Sequence, residues 1–483
     1  MKILIVTGKL AEKTVRKYAP NVDVHVVNNI DVAAFITPAD LEPLDLDQYD
    51  LVLVPGLTAG CKWRDLEKRK KTKIRLGPIH AFDLQFVLPY IDKFELSHEV
   101  PACKLIEKVR YDELIKQVNS LENDFKFKIR DVPIGGNSRI KVVAEIVNYE
   151  NIDELLEKLD YYVESGADIV DISIPLEFEK SFIRKAIKKV IDYSEVPVSI
   201  DTFDKSAIKL GIDLGVDMIM SVGYENFDVM SLVEDQAIVL VDKDPVKLNK
   251  LVERAANFSD KLIADPVLEP PLHLAKSIER YIKFREINKN IPVLFGIGNV
   301  TELSDADSVG INAVLTFIAE EIGCNLLFTT EASPKTAGCI KELHQAVFLS
   351  KIAKVRETNP KDVGISLLVL KDKVKYETES FPEKFVIAKE NKRFVRDPFG
   401  DFIIYLAGGK IVCKHDKLVI VGKRAKEILD TIIEYDLVSR LDHAAYLGRE
   451  LKKAEIALVL GKNYVQDREL EFGIYSKIRS NSS

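Results

Sequence analysis

The chain has 483 residues, 47% hydrophobic and 30% charged, with a formal net charge of -7 at pH 7. That length exceeds a single core and points to about three domains of roughly 100 to 250 residues each, while the apolar fraction excludes a disordered chain. The acidic balance removes any global attraction to nucleic acid or an anionic membrane, so neither is expected as a partner.

Residues 1 to 130 read as a Rossmann-like α/β layer: strand KILIVTG (2 to 8), helix AEKTVRKYA (11 to 19), strand VDVHVVN (22 to 28) and the buried-type strand DLVLVPG (50 to 56). The small-residue loop GLTAG (56 to 60) lacks both phosphate-binding glycine patterns and reads as a plain turn. The basic run from Lys68 to Lys73 reads as a solvated face. Five cysteines (Cys61, Cys103, Cys324, Cys339, Cys413) stand singly, without metal-ligand or redox spacing, which fits a reducing compartment. The chain carries no apolar run of the ~20 residues a span needs, and Met1 leads into a strand without signal-peptide character. A cytoplasmic protein is expected.

From residue 138 to 356 a strand pattern and a helix pattern alternate eight times. The strands are VVAEIV (142 to 147), DIVDIS (168 to 173), PVSIDT (197 to 202), DMIMSV (217 to 222), AIVLVD (237 to 242), KLIADP (261 to 266), PVLFGI (292 to 297) and NLLFTT (325 to 330). Amphipathic stretches such as 152 to 166 and 244 to 258 lie between them. This is the pattern of a (β/α)8 TIM barrel, whose chemistry sits at the C-terminal ends of the strands. Asn148, Asp171, Asp201, Asp242, Asp265 and Asn299 occupy such ends and are the first candidates.

Residues 358 to 483 change character and read as an α+β domain. Strand-like segments run at 364 to 372, 384 to 390, 402 to 407, 410 to 415 and 417 to 422, with a hairpin at Ala407-Gly408-Gly409-Lys410. Helices follow near 423 to 436 and 439 to 461, and His443 in the second reads as structural.

Asp201 and Asp265 carry a specific possibility for the mouth. One ionised Asp can accept both adjacent N–H donors of a 2-amino-4-oxo pyrimidine edge in a fork. Several oxygens together can instead hold a divalent metal, and an acid closing a strand can simply cap the next helix. Spacing alone leaves these open.

The stretches GADIVDIS (166 to 173), VPVSIDTFDKSAIKLGIDLGVDMI (196 to 219), IADP (263 to 266) and PVLFGIGNVTELSDADSVGINAVLTFIAEEIG (292 to 323) resemble the pterin-binding barrel of dihydropteroate synthases and methyltetrahydrofolate-type methyltransferases. The whole chain resembles the archaeal dihydropteroate synthase-related proteins in its three-part organisation. The resemblance implies a reduced pterin as substrate or cofactor, with Asp265 on the pyrimidine edge and Asp201 near the reacting carbon or N5. It puts Asn148 on Mg2+ or a diphosphate, and Asn299, in Gly296-Ile297-Gly298-Asn299-Val300, near N5. Asp171 matches the acidic end of strand two, and Gly296, Gly298 and the strand-end Asp242 complete the expected pterin set.

The chain also departs from the pattern. Met220 and Ser221 stand where the family has a pterin-binding asparagine, so Ser221 is the expected replacement. The long loops after strands one and two are missing, with Ile174-Pro175-Leu176-Glu177 following strand two. The cations that stabilise a leaving diphosphate are absent, and Lys335 is the nearby candidate for that role. The resemblance implies first a transferase joining 6-hydroxymethyl-dihydropterin diphosphate to an aryl amine, in folate or methanopterin synthesis. The alternatives are a methyltransferase passing a methyl group from a reduced methyl-pterin to a thiol or the corrinoid of another protein, and a non-catalytic pterin binder. A homodimer is a further expectation.

Overall fold

The computed structural model describes residues 1–174, 179–361, 363–373, 382–389 and 393–473, apart from the side chains of 107–110. These fall into two compact units, Met1–Thr330 with Ile340–Leu367, and Glu331–Cys339 with Leu368–Ser483. Among the described residues no helix is long and apolar enough to cross a membrane.

The first unit opens with a parallel sheet of β1 (Ile3–Thr7), β2 (Asp23–Val26), β3 (Leu51–Val54) and β4 (Lys73–Leu76), in the order β2-β1-β3-β4. β3 is buried along its whole length, which is why it reads as an unbroken apolar run. The basic run is split between two elements. Lys68, Arg69 and Lys70 form the last turn of the helix Trp63–Lys70, where cations complement the helix dipole, and Arg69 pairs with Glu42 at 2.8 Å. Lys73 begins β4, a strand the sequence pattern did not reveal.

The barrel strands are β7 (Lys141–Ile146), β8 (Ile169–Ser173), β9 (Val198–Asp201), β10 (Met218–Val222), β11 (Ala237–Val241), β12 (Leu262–Asp265), β13 (Leu294–Gly296) and β14 (Leu326–Thr330). They pair in parallel in the order β12-β11-β10-β9-β8-β7-β14-β13. A parallel bridge from Ala264 to Val293 closes the ring between β12 and β13. The (β/α)8 barrel expected from the sequence is therefore present. Its helices are set by local signals. Asn151 caps the helix Ile152–Glu164 by accepting the Glu154 N–H, and Leu155, Leu159 and Tyr162 form its buried stripe. Asp244 caps the helix Pro245–Ala255 in the same way, while Gly215, at φ 83°, ends the helix Lys205–Leu214.

An antiparallel hairpin, β5 (Phe127–Ile129) and β6 (Val132–Ile134), precedes the barrel. Its Ile129 and Ile134 join one apolar cluster with the inward side chains Val143, Ile169, Met218, Met220, Val239, Ile263, Leu294 and Leu326. Arg130 in its turn donates to Asp217 at 2.9 Å and to the carbonyls of Ser194 and Val196. The hairpin thus seals the N-terminal end of the barrel. The sequence had divided these residues between a domain end and a linker, because two three-residue strands are too short to show a period.

In the second unit, β15 (Ile403–Ala407), β16 (Lys410–Lys414) and β17 (Val419–Gly422) form an antiparallel sheet packed on the helices Ala425–Glu434 and Leu441–Leu460. Gly408 (φ 53°) and Gly409 (φ 65°) make the two-residue hairpin turn. His443 is held by the Asp397 carboxylate at 3.1 Å, the structural role its helix position implied. The expected strands at 364 to 372 and 384 to 390 are corrected: residues 364–372 and 384–389 form none, and Glu390 lies outside the described residues. Leu368, Val369 and Leu370 are more than half exposed, since alternation yields a strand only where a ladder partner exists.

At the lower rim Arg139 grips the Asp168 carboxylate with both terminal nitrogens, one at 2.7 Å, and the Val142 N–H donates to the same carboxylate at 2.9 Å. Burial alone would raise the Asp168 carboxyl, but Arg139, Lys141 and that N–H hold it below its usual 3.8. Asp168→Asn strips a buried guanidinium of its closest carboxylate, leaving Glu122 at 4.0 Å, and is expected to cost about 3 kcal/mol in chemical denaturation at pH 7. The deficit should shrink as the pH falls below 3.8, where the wild-type carboxylate is itself lost.

Candidate functional site

Strand alternation decides which side chains enter the barrel. On β7 the residues Val142, Ala144 and Ile146 pack outward against the helices, so Val143 and Glu145 face inward. The same parity turns Asp171 inward on β8, Ser199 and Asp201 on β9, and Asp265 on β12. Register brings them side by side: Glu145 is opposite Asp171, Asp171 opposite Ser199, and Asp201 opposite Ser173 and Met220. The mouth therefore holds four carboxyl groups above an aliphatic floor. Glu145 was missed in the sequence. Its signal was there, since it stands one place before the end of β7 on the same face as Val143.

These acids perturb one another. Asp171 is fully buried; one of its oxygens accepts the Ser199 hydroxyl, while Oδ2 has no donor among the described residues. Burial, with Asp201 and Glu145 as negative neighbours, holds its carboxyl well above the usual range. Burial, Glu145 and Asp265 push Asp201 up to about 7. Glu145 is raised by burial and by Glu302, against a hydrogen bond from Ser173. Asp265 is pushed up to about 6 by burial, although the Val267 N–H, the Tyr281 hydroxyl and Arg280 all pull it down. Such a cluster titrates as a group and keeps protons at neutral pH.

Asp265 is the most elaborately held of the four. The Val267 N–H at 2.8 Å and the Tyr281 hydroxyl at 3.1 Å both donate to its Oδ1. Arg280 ties the following loop by donating to the Val267 carbonyl at 2.7 Å and to Glu269 at 3.0 Å, and Lys243 meets the same Glu269 at 2.7 Å. Asp201 and Asp265 keep partial exposure at the mouth, so a ligand can reach them.

The remaining expected residues are distributed otherwise. Asp242, expected in the pterin set, accepts the Asp244 N–H at 2.7 Å and shapes the loop before a helix start; one residue beyond Val241, it has the opposite parity to the inward acids. Ser221 is buried, and its carbonyl accepts the side-chain amide of Asn226 at 3.1 Å. Asn226 also accepts the Gly223 N–H at 2.8 Å, so this amide is engaged within its own loop. Asn299, on the short helix Gly298–Thr301, donates to the Leu268 carbonyl at 2.8 Å and links the loops after β12 and β13. A Cβ on Gly298 would lie 3.4 Å from the Thr329 backbone, and one on Gly296 3.5 Å from the Asn299 amide. Gly298 serves close packing, and Gly296 leaves room beside Asn299. Of the segment after strand two, Pro175 to Glu177 lie outside the described residues. Lys335 is exposed in the turn Pro334–Thr336 and belongs to the second unit.

Asn148 is exposed at φ 53°, just past β7, and its carbonyl accepts the Lys158 ammonium at 2.8 Å. Among the described residues no group of three or more His, Cys, Asp or Glu side chains could hold a metal ion. A lone amide beside a lysine does not fit a Mg2+ site by itself, because Mg2+ is ordinarily held through one or two carboxylates and substrate phosphates. A separate cavity of about 580 Å3 opens at the other end of the barrel, lined by Asp124, Lys126, Arg285 and Asn325 among others, away from the acidic mouth.

Asp201 titrates near 7 in the folded chain against 3.8 unfolded, so the fold holds the extra proton between those limits. The stability this gives is complete below about pH 4 and is lost as the pH rises through 7. Glu145→Gln removes one negative neighbour. Its melting temperature is expected to exceed that of the wild type at pH 8, by about 2–4 °C for each kcal/mol relieved, with a smaller difference at pH 5.

Comparison with known proteins matches part of this barrel and part of the C-terminal unit. The profile described as "Pterin binding enzyme" matches residues 141–242, which span β7 to the end of β11, and the one described as PterinBD-DUF4346 matches residues 396–467. The uncharacterized protein MJ0107 of Methanocaldococcus jannaschii is 38% identical over 523 aligned residues, covering 97% of this chain and 99% of that protein. A Ycf91-like protein of Nostoc sp. is 46% identical over 68 residues, 12% of this chain and 54% of that one. Among solved structures, a Yersinia pestis dihydropteroate synthase with a pterine-sulfa conjugate aligns at 16% identity and TM-score 0.37, covering 46% of this chain and 95% of that one. Thermus thermophilus dihydropteroate synthase aligns at 19% identity and TM-score 0.36, covering 44% and 93%. With its eight-stranded ring, its pterin-enzyme profile and a full-length methanogen relative, the chain belongs to the family of that methanogen protein, within the pterin-binding barrel superfamily.

Proposed function

We propose that the acidic mouth binds a reduced pterin and that the protein transfers a one-carbon group from that ring. The observation that carries the binding step is Asp265: a carboxylate at the mouth, partly exposed, with Oδ1 satisfied by two protein donors and Oδ2 left for a ligand. Adjacent N–H donors of a 2-amino-4-oxo pyrimidine edge supply what such an oxygen lacks. Asp201 and Asn299 would then flank the far end of the ring. Asp201, with a carboxyl pushed up to about 7, can hold or release a proton at working pH.

Between the two reactions of the superfamily, the charge of the mouth favours methyl transfer. Displacing a diphosphate builds several negative charges, which cations normally stabilise, whereas this mouth is ringed by carboxyl groups that share protons at neutral pH, with Asp265, pushed up only to about 6, mainly ionised. Moving a methyl group from a ring nitrogen starts from a nitrogen that carries positive charge as it is quaternised or protonated. Neighbouring carboxylates lower the free energy of that state. A corrinoid or thiol brought by a partner protein would accept the methyl group.

The binding step is tested by isothermal titration with 7,8-dihydropterin and with methyl-tetrahydromethanopterin. Asp265→Asn is expected to weaken binding at least 100-fold, about 3 kcal/mol for a lost charged hydrogen-bond set, with the melting curve intact; equal affinity in the variant would remove Asp265 from the site. Binding needs the ionised carboxylate, so wild-type affinity should be flat above pH 7. Below about pH 6 it should fall by up to ~10-fold per pH unit. Methyl transfer is read from the cob(I)alamin spectrum after mixing with methyl-tetrahydromethanopterin, and diphosphate release from a dihydropterin diphosphate would instead favour the synthase reaction.

A further inference from the structure

Asp265 is presented asymmetrically. Its Oδ1 accepts the Val267 N–H at 2.8 Å and the Tyr281 hydroxyl at 3.1 Å, and no protein donor reaches Oδ2 among the described residues. A carboxylate oxygen offers about two acceptor sites. Oδ1 is therefore full, and a ligand donor must meet Oδ2.

Tyr281 reaches this oxygen from outside the ring of strands. It lies on the helix Leu274–Ile287, has no exposed surface, and its ring stands edge-on to Phe295 of β13, with centroids 4.8 Å apart. A phenol fully buried among apolar side chains must satisfy its hydroxyl, and here the partner is the mouth carboxylate. Helix packing behind the barrel is thereby connected to the geometry of the mouth.

We propose that Tyr281 is a positioning residue that locks the Asp265 carboxylate with Oδ1 occupied and Oδ2 turned to the ligand, and by the same bond keeps that carboxylate ionised. The proposal rests on the pterin-binding reading of the mouth. It implies that both N–H groups of the pyrimidine edge converge on one oxygen, which restricts the ring to a single register. Other charged or titratable groups also act on this carboxylate. Arg280, on the same helix, and the Val267 N–H favour its ionised form, while Asp201 across the mouth and Cys324 before β14 are coupled to it. Glu269 and Lys243 lie next along, paired with each other and, through Glu269, with Arg280. Tyr281 differs from the charged groups in contributing a hydrogen bond without a charge, and from the Val267 N–H in being a side chain that substitution can remove.

Tyr281→Phe in the full chain keeps the ring and its contact with Phe295 but deletes the hydroxyl. Titrated with 7,8-dihydropterin between pH 5 and 8, the variant is expected to bind about 5-fold more weakly than the wild type at pH 8, where both carboxylates are ionised and only the lock is lost. Its loss of affinity on acidification should begin about one pH unit higher, roughly a further 10-fold deficit near pH 5.5. In the ligand-free proteins labelled with carboxyl-13C aspartate, the Asp265 titration midpoint should rise by the same amount. Coincident acid limbs and coincident 13C midpoints in the two proteins would overturn the proposal. If wild-type protein binds no dihydropterin, the pterin reading fails by itself, and the 13C midpoint still decides whether Tyr281 holds this carboxylate.

Discussion

A carboxyl group withdrawn from water must find a donor or keep its proton, and four such groups share the inner rim of this barrel. Their convergence follows from parity: once the ring closes and the aliphatic residues of alternate positions pack against the helices, Glu145, Asp171, Asp201 and Asp265 have only the interior to occupy. Every other property of the mouth follows from that constraint. The groups compete for protons, their titrations are linked, and Asp171 Oδ2 has no donor among the described residues.

The rim is also polarised. On the β12 side, donors gather around Asp265: a backbone N–H, a phenol and a nearby guanidinium. On the β7 and β8 side, among the described residues, Glu145 and Asp171 have the Ser173 and Ser199 hydroxyls to set against their mutual repulsion. An asymmetric heterocycle entering such a field experiences different environments at its two ends, so orientation is selected before any chemistry begins. The link from Asn299 to the Leu268 carbonyl adds a mechanical counterpart, since it ties the loops after β12 and β13 together.

Much of this architecture was legible in the sequence because parallel strands buried on both faces leave mainly apolar runs, interrupted here by mouth residues such as Glu145, Asp171 and Ser199. The acids Asp201 and Asp265 were legible as strand ends. Which acids point inward was harder, because parity depends on the last residue of the strand. Val241 ends β11, and the shift of one position sends Asp242 to a turn while Asp265, closing β12, enters the mouth. Glu145 was hidden within its strand. Tyr281 is invisible to local pattern, since its role exists only when a helix sixteen positions along folds back on Asp265. The C-terminal segment at 364 to 372 failed for the converse reason, having strand chemistry without a neighbouring edge.

The β5–β6 hairpin, with Ile129 and Ile134 set against the barrel's lower side chains, turns a tube into a cup. Whatever enters at the mouth must therefore leave by the same doorway, and departure retraces arrival. Under the function proposed above, a ring seated in a vessel of that shape would also act as a stopper, and a group handed onward from it would have to be collected from above, by something that approaches the rim while the ring is still seated.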